Sequence, residues 1–129
     1  MKTQVLLLTN DPKLEDSVAN VLMQTGGLSH LGHSAGEALQ IVCGAGRDLD
    51  LAIIDFEPGP HGMTLLSAIS TCRQDLPVIV VTHDDEKHVE ALAYADGAMA
   101  CLPKPVTPAQ VAEAMNQCHR PRYQLALVA

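Results

Sequence analysis

The chain has no tryptophan, one phenylalanine (Phe56) and two tyrosines (Tyr94, Tyr123) in 129 residues. Its core must therefore be aliphatic, and the rings that would stack on a flavin are nearly absent. Its four cysteines, Cys43, Cys72, Cys101 and Cys118, form no C-x-x-C pair. That excludes a zinc knuckle and a thioredoxin-type motif, and leaves buried, reduced thiols in a cytosolic protein as the expectation. Basic residues are few, eight against fifteen acidic ones, for a net charge of −7. Such a chain repels nucleic-acid phosphates and anionic lipid, so no direct nucleic-acid or membrane partner is expected. There is no long hydrophobic run: the first apolar stretch ends at Thr9-Asn10-Asp11, too short for a signal peptide or membrane span, and the expected location is cytoplasmic. No glycine-rich phosphate loop follows that stretch, which argues against a nucleotide or flavin enzyme.

What is present fits one domain of ordinary size, about 100–150 residues around a single core. With 47% hydrophobic residues and 18% charged ones, the chain is apolar enough to fold unaided. Three short, nearly continuous apolar runs stand out: Val5 to Leu8, Leu51 to Ile54 and Val78 to Val81. Continuous rather than alternating hydrophobicity signals strands buried on both faces, as in a parallel sheet covered by helices. Ala98 to Leu102 gives a weaker fourth strand, and Leu28 to His33 a fainter fifth.

Helical spacing fills the gaps. Leu14, Val18, Val21 and Leu22 share one face, between an Asp11-Pro12 start and a Gly26-Gly27 stop. Ser34-Ala35-Gly36-Glu37 has the pattern of a capping box and opens a second helix ending near Gly44. Further helices are expected over Thr64 to Gln74, Asp85 to Asp96 with Gly97 as stop, and Pro108 to His119 with Thr107 as cap. The order is βαβαβαβαβα, an α/β doubly wound sheet with right-handed crossovers. Residues 1–119 form the expected domain and residues 120–129 a C-terminal tail.

In open parallel sheets, ligands bind beyond the carboxyl ends of the strands. Those ends here carry Asn10-Asp11, Asp55, Thr82-His83-Asp84 and Lys104-Pro105. Neighbouring carboxylates repel one another unless a cation lies between them, and oxygen ligands suit Mg²⁺. A hydroxyl and an ammonium on the remaining ends are suited to holding a phosphoryl group placed on one of the carboxylates.

At this point, from about Met1 to His119, the sequence resembles the response-regulator receiver family of two-component signalling. The resemblance implies a five-stranded flavodoxin-like sheet of order 2-1-3-4-5 with helices on both faces. It makes Asp55 the phospho-acceptor, Thr82 the hydroxyl that senses the phosphoryl group, and Lys104-Pro105 the lysine with its cis proline. Asp11 corresponds to the second acid of a metal-binding pair. Mg²⁺ would then be held by Asp11, Asp55 and the backbone carbonyl of Glu57, with Asn10 as a further candidate ligand. A histidine kinase or phosphotransfer protein would donate the phosphoryl group within a phosphorelay, and an effector protein or domain would read the result. The chain would be a phosphoprotein and a signalling domain rather than an enzyme, with autophosphatase activity at most; a homodimer is left open.

Four departures qualify this pattern. Asn10 replaces the first acid of the pair. The loop Phe56-Glu57-Pro58-Gly59-Pro60-His61-Gly62 is one residue short and lacks the usual Met-Pro step. His83 is bulky where the family prefers a small residue. Cys101 replaces the aromatic residue three positions before the lysine; Tyr94, on the preceding helix, is a candidate substitute, although a core or surface role is the expectation for it. These departures motivate an alternative, a receiver-fold interaction module that works without phosphorylation.

Overall fold

A computed structural model describes residues 3–45, 48–56, 61–73, 75–82 and 87–128. Strands β1 (Gln4–Leu8), β2 (Leu28–Gly32), β3 (Leu51–Asp55), β4 (Val78–Thr82) and β5 (Ala100–Pro103) alternate with helices α1 (Pro12–Thr25), α2 (Ala35–Ala45), α3 (His61–Cys72), α4 (Lys87–Ala95) and α5 (Pro108–Val128). The strands are parallel and lie in the order β2-β1-β3-β4-β5. Both the doubly wound class and the strand order are as the sequence led one to expect.

The two faces of the sheet sort the core by strand alternation. Val5 and Leu7 of β1, Leu51 and Ile53 of β3, and Ile79 and Val81 of β4 face one way, under α1 (Leu14, Val18, Val21, Leu22) and α5 (Val111, Ala114, Met115, Cys118). Leu6, Leu8, Ala52, Ile54, Val78 and Val80 face the other, under α2 (Ala38, Val42), α3 (Leu65, Leu66, Ile69) and α4 (Ala93). All of β3 and β4 is buried, which is why those runs are continuously apolar. β2 is an edge strand with Leu28 and Leu31 exposed, and its pattern is correspondingly faint.

Helix ends follow local chemistry. Asp11 caps α1 by accepting from the Lys13 N–H, Pro12 sits at the first helical position, and Gly26 closes the helix at φ 78°. Thr107 and Gln110 cap α5 reciprocally: the Gln110 N–H donates to Thr107 Oγ1 at 3.2 Å and the Thr107 N–H to Gln110 Oε1 at 3.0 Å. At α2, Ser34 Oγ accepts from the Glu37 N–H, but Glu37 Oε2 accepts from the His33 N–H rather than that of Ser34. Half of the expected box is thus displaced by one residue.

Two expectations need correction. α5 does not stop near His119 but runs to Val128, past Pro121. Of the four thiols, only Cys118 is buried; Cys43 and Cys72 are exposed and Cys101 is intermediate, all of them unbridged. No described helix is long and apolar enough to cross a membrane.

Candidate functional site

The strand register determines what meets at the carboxyl edge of the sheet. β1 and β3 pair as Leu7↔Ile53 and Leu8↔Ile54, so one further step sets Thr9 beside Asp55. β3 and β4 pair as Asp55↔Val81, placing Thr82 one step beyond on the neighbouring strand. β4 and β5 pair as Thr82↔Pro103, and Lys104 follows immediately. The Lys104 N–H donates to the Thr82 carbonyl at 2.9 Å, and the Lys104-Pro105 peptide is cis.

Asp55 is the centre of the arrangement. Its side chain is 1% exposed, and its Oδ2 lies 2.9 Å from Lys104 Nζ. The same oxygen accepts a hydrogen bond from Thr9 Oγ1 at 2.7 Å. Burying a carboxylate is costly unless it is paired and hydrogen-bonded, and here an ammonium and a hydroxyl supply both. Thr9 Oγ1 in turn accepts the Asp11 N–H at 3.0 Å.

Lys104 Nζ also lies 3.1 Å from Asp11 Oδ2, bridging the two carboxylates. Hydrogen bonding to Lys104 first, then the Lys13 N–H and the charges of both lysines, outweigh partial desolvation and hold the Asp11 carboxyl below its usual range. Ser17 Oγ, on α1, donates to the Val106 carbonyl at 2.8 Å and ties down the segment that follows Lys104.

Asp11, Asp55, Thr82 and Lys104 therefore gather at one edge of the sheet. Asn10 does not join them. Its amide donates to the His33 carbonyl at 3.2 Å and its Oδ1 faces His33 Nδ1 at 2.9 Å, so the side chain is directed at the end of β2. Glu57 and His83 lie outside the described residues. The residue that sequence reading missed is Thr9, which is 2% exposed. It looked like the tail of the first apolar run, yet strand alternation sets it on the Val5–Leu7 face, the same face as Asp55.

The carboxylates of Asp11 and Asp55, two of the three ligands that the family resemblance implies for Mg²⁺, stand together here, while the third, the Glu57 carbonyl, lies outside the described residues. Among the described residues two carboxylates are offered, and the Lys104 ammonium lies within 3.1 Å of an oxygen of each. Asp11 Oδ1 is engaged as the helix cap, and Asn10 is turned away. Among the described residues no group of three His, Cys, Asp or Glu side chains is arranged to hold a metal ion.

The arrangement can be compared with known proteins. A family model described as the response regulator receiver domain matches residues 5–116. The chain belongs to that family. A curated relative, the glycerol metabolism activator of Pseudomonas putida, is 25% identical over 116 residues, covering 88% of this chain and 52% of the relative. The chain thus spans about half the length of the curated relative it matches. Among solved structures, a response regulator receiver domain protein from Clostridium thermocellum superposes with a TM-score of 0.84 at 24% identity, covering 95% of this chain and 98% of that one. NtrX from Brucella abortus gives 0.80 at 23% identity, over 98% of this receiver domain and 30% of that longer chain. The receiver domain of a Vibrio parahaemolyticus LuxO repressor protein gives 0.83 at 17% identity, covering 100% and 99%. At these identities the structural likeness speaks to fold alone, and the fold agrees with the family.

Proposed function

We propose that this receiver domain accepts a phosphoryl group on Asp55 from the phosphohistidine of a histidine kinase or phosphotransfer protein, and that the change is read by an effector protein or domain. A carboxylate oxygen of Asp55 attacks phosphorus, the P–N bond to the donor imidazole breaks, and the leaving imidazole takes up a proton. The product is an acyl phosphate at the carboxyl end of β3. Lys104 follows the phosphoryl oxygens, and the Thr82 hydroxyl, one strand away, binds another. The added charge re-sorts the Asp11–Lys104–Asp55 bridge and displaces the loop between β5 and α5.

The observation that carries this reading is the Asp55–Lys104 ion pair at 2.9 Å, with the Asp55 side chain 1% exposed. A buried carboxylate held by a movable ammonium, at the edge where strand ends converge, is suited to sensing a change in its own charge. Mg²⁺ at such a pocket is part of what the family resemblance implies; Asp11, Asp55 and the backbone carbonyl of Glu57 would hold it, and it would supply positive charge to the phosphoryl oxygens.

A second reading, an interaction module independent of phosphorylation, is favoured by one specific observation. Thr9 and Lys104 already satisfy Asp55 Oδ2, at 2.7 and 2.9 Å. Intact-mass spectrometry separates the two readings, using a small-molecule phosphodonor and a phosphorelay kinase, each with Mg²⁺ present. A single phosphoryl adduct, lost in Asp55→Asn, is expected. No adduct from either donor would refute phospho-acceptance and leave the interaction module.

A further inference from the structure

Thr9 and Asp55 are held against one another by backbone bonds to the strands on either side. The Thr9 N–H donates to the Gly32 carbonyl at the end of β2 at 3.2 Å, and the Phe56 N–H, one residue past Asp55, donates to the Val81 carbonyl of β4 at 2.9 Å. Between these anchors Thr9, 2% exposed, gives its hydroxyl proton to Asp55 Oδ2 at 2.7 Å. Its oxygen accepts the Asp11 N–H at 3.0 Å, which polarises the hydroxyl and leaves its proton directed at the carboxylate. No step of the proposed phosphoryl transfer requires this hydroxyl.

Given that Asp55 is the phospho-acceptor, as proposed above, we infer that Thr9 is a positioning residue that favours the unphosphorylated carboxylate and so shortens the life of the acyl phosphate. A hydrogen bond to an ionised oxygen is about twice as strong as one between neutral groups. Once phosphorus is attached, one carboxyl oxygen carries it and the other is a neutral carbonyl, so the Thr9 proton meets a weaker acceptor whichever of them is Oδ2. In hydrolysis a water oxygen bonds to phosphorus, and the bond from phosphorus to the Asp55 oxygen breaks with its electron pair left on the carboxylate. The water proton passes to the inorganic phosphate product. The transition state is loose, so negative charge returns to Asp55 before the new P–O bond is complete. Thr9 therefore stabilises that transition state more than it stabilises the acyl phosphate. Formation of the acyl phosphate passes through a comparably loose state in which Asp55 has kept most of its charge, so its rate depends little on Thr9.

The test compares the whole chain as wild type, Thr9→Val, Thr9→Ala and Thr9→Ser, with circular dichroism to check that each is folded. Each protein is loaded with a small-molecule phosphodonor and Mg²⁺, the donor is removed, and formation and decay of the adduct are followed by intact-mass spectrometry. Thr9→Val is expected to acquire the phosphoryl group within about threefold of the wild-type rate and to lose it about tenfold more slowly. Thr9→Ala is expected to behave in the same way and replaces Thr9→Val if that protein does not fold. Thr9→Ser, which keeps the hydroxyl, is expected to decay like wild type. Damage to packing alone would slow loading or speed decay, the opposite of the expected split. With wild type phosphorylated, decay in Thr9→Val or Thr9→Ala that is no slower than in wild type overturns the role of Thr9 and leaves Asp55 as acceptor; slow decay in Thr9→Ser overturns it too. No adduct on wild type instead refutes Asp55 as acceptor, and the role of Thr9 falls with it.

Discussion

Removing one partner of the Asp55–Lys104 pair should have very different consequences depending on which partner goes. At 2.9 Å and an effective dielectric constant near 20, the gross attraction is about 6 kcal/mol, offset in the wild type by the cost of desolvating both groups. Lys104→Met leaves a carboxylate that is 1% exposed without its ammonium, beside Asp11, which has lost the same ammonium. Breaking a buried pair in this way costs about 3–5 kcal/mol. Asp55→Asn is milder. The ammonium keeps Asp11, 3.1 Å away and 29% exposed, the amide oxygen can still accept from Thr9, and the loss is about 1 kcal/mol. With a urea m-value of about 2 kcal/mol/M, Lys104→Met should lower the unfolding midpoint by roughly 1.5–2.5 M and Asp55→Asn by roughly 0.5 M. The double variant should recover most of the Lys104→Met loss, since the stranded charge is gone. Equal losses for the two single variants, or a double variant that merely sums them, would refute the claim that Asp55 depends on Lys104 for its buried charge.

Two further outcomes follow from the geometry. Gly97 holds φ at 108°, and a Cβ there would lie 2.7 Å from Ser70 Oγ, which donates to the Asp96 carbonyl at 2.8 Å. Gly97→Ala should therefore cost about 2 kcal/mol in urea unfolding, against about 1 kcal/mol for Gly26→Ala, where φ is 78° but the space is open, and equal losses would contradict the steric part of the argument. With a thiol reagent on the native protein, the exposed Cys43 and Cys72 should react first. Cys101, pushed up to about 11 by burial and then by the Glu90 charge, and Cys118, pushed up to about 11 by burial, should lag until unfolding; early labelling of Cys118 would show that its packing against the sheet is wrong.

The fold was legible where physics acts locally. Strands buried on both faces must be apolar throughout, so β1, β3 and β4 declared themselves, whereas β2, with one edge and much of its surface in water, was faint. The caps at Asp11 and Thr107 are satisfied within three residues and could be seen in advance. Relations that cross the chain could not. The Asn10–His33 contact joins residues 23 apart, and nothing near either one announces it. Thr9 was within reach, because Val5, Leu7 and Thr9 alternate onto one face and Leu51, Ile53 and Asp55 do the same. Their meeting becomes visible only once β1 and β3 are known to be neighbours with Leu7 opposite Ile53. Cys43 follows Val42 on α2, and the turn of about 100° per residue that buries one exposes the other. α5 continues beyond Pro121 although a proline in a helix interior removes a hydrogen bond and argues for a stop.

The absence of an aromatic residue at Cys101 raises the question of how the site is connected to the surface around α4. Tyr94, on α4, supplies the connection from the other side. Its hydroxyl accepts the Cys101 N–H at 3.2 Å, while the Cys101 thiol donates to the Glu90 carbonyl at 3.9 Å. Glu90 and Tyr94 are four residues apart, hence on one face of the helix, so α4 grips the outer edge of β5 at two successive turns. β5 is also the strand that leads, three residues later, to Lys104, whose N–H is bonded to the Thr82 carbonyl. A movement of Lys104 in the proposed switch therefore acts on a strand that α4 holds through Tyr94. In that switch the Tyr94–Cys101 bond, rather than an aromatic side chain on β5, would join the strand to α4.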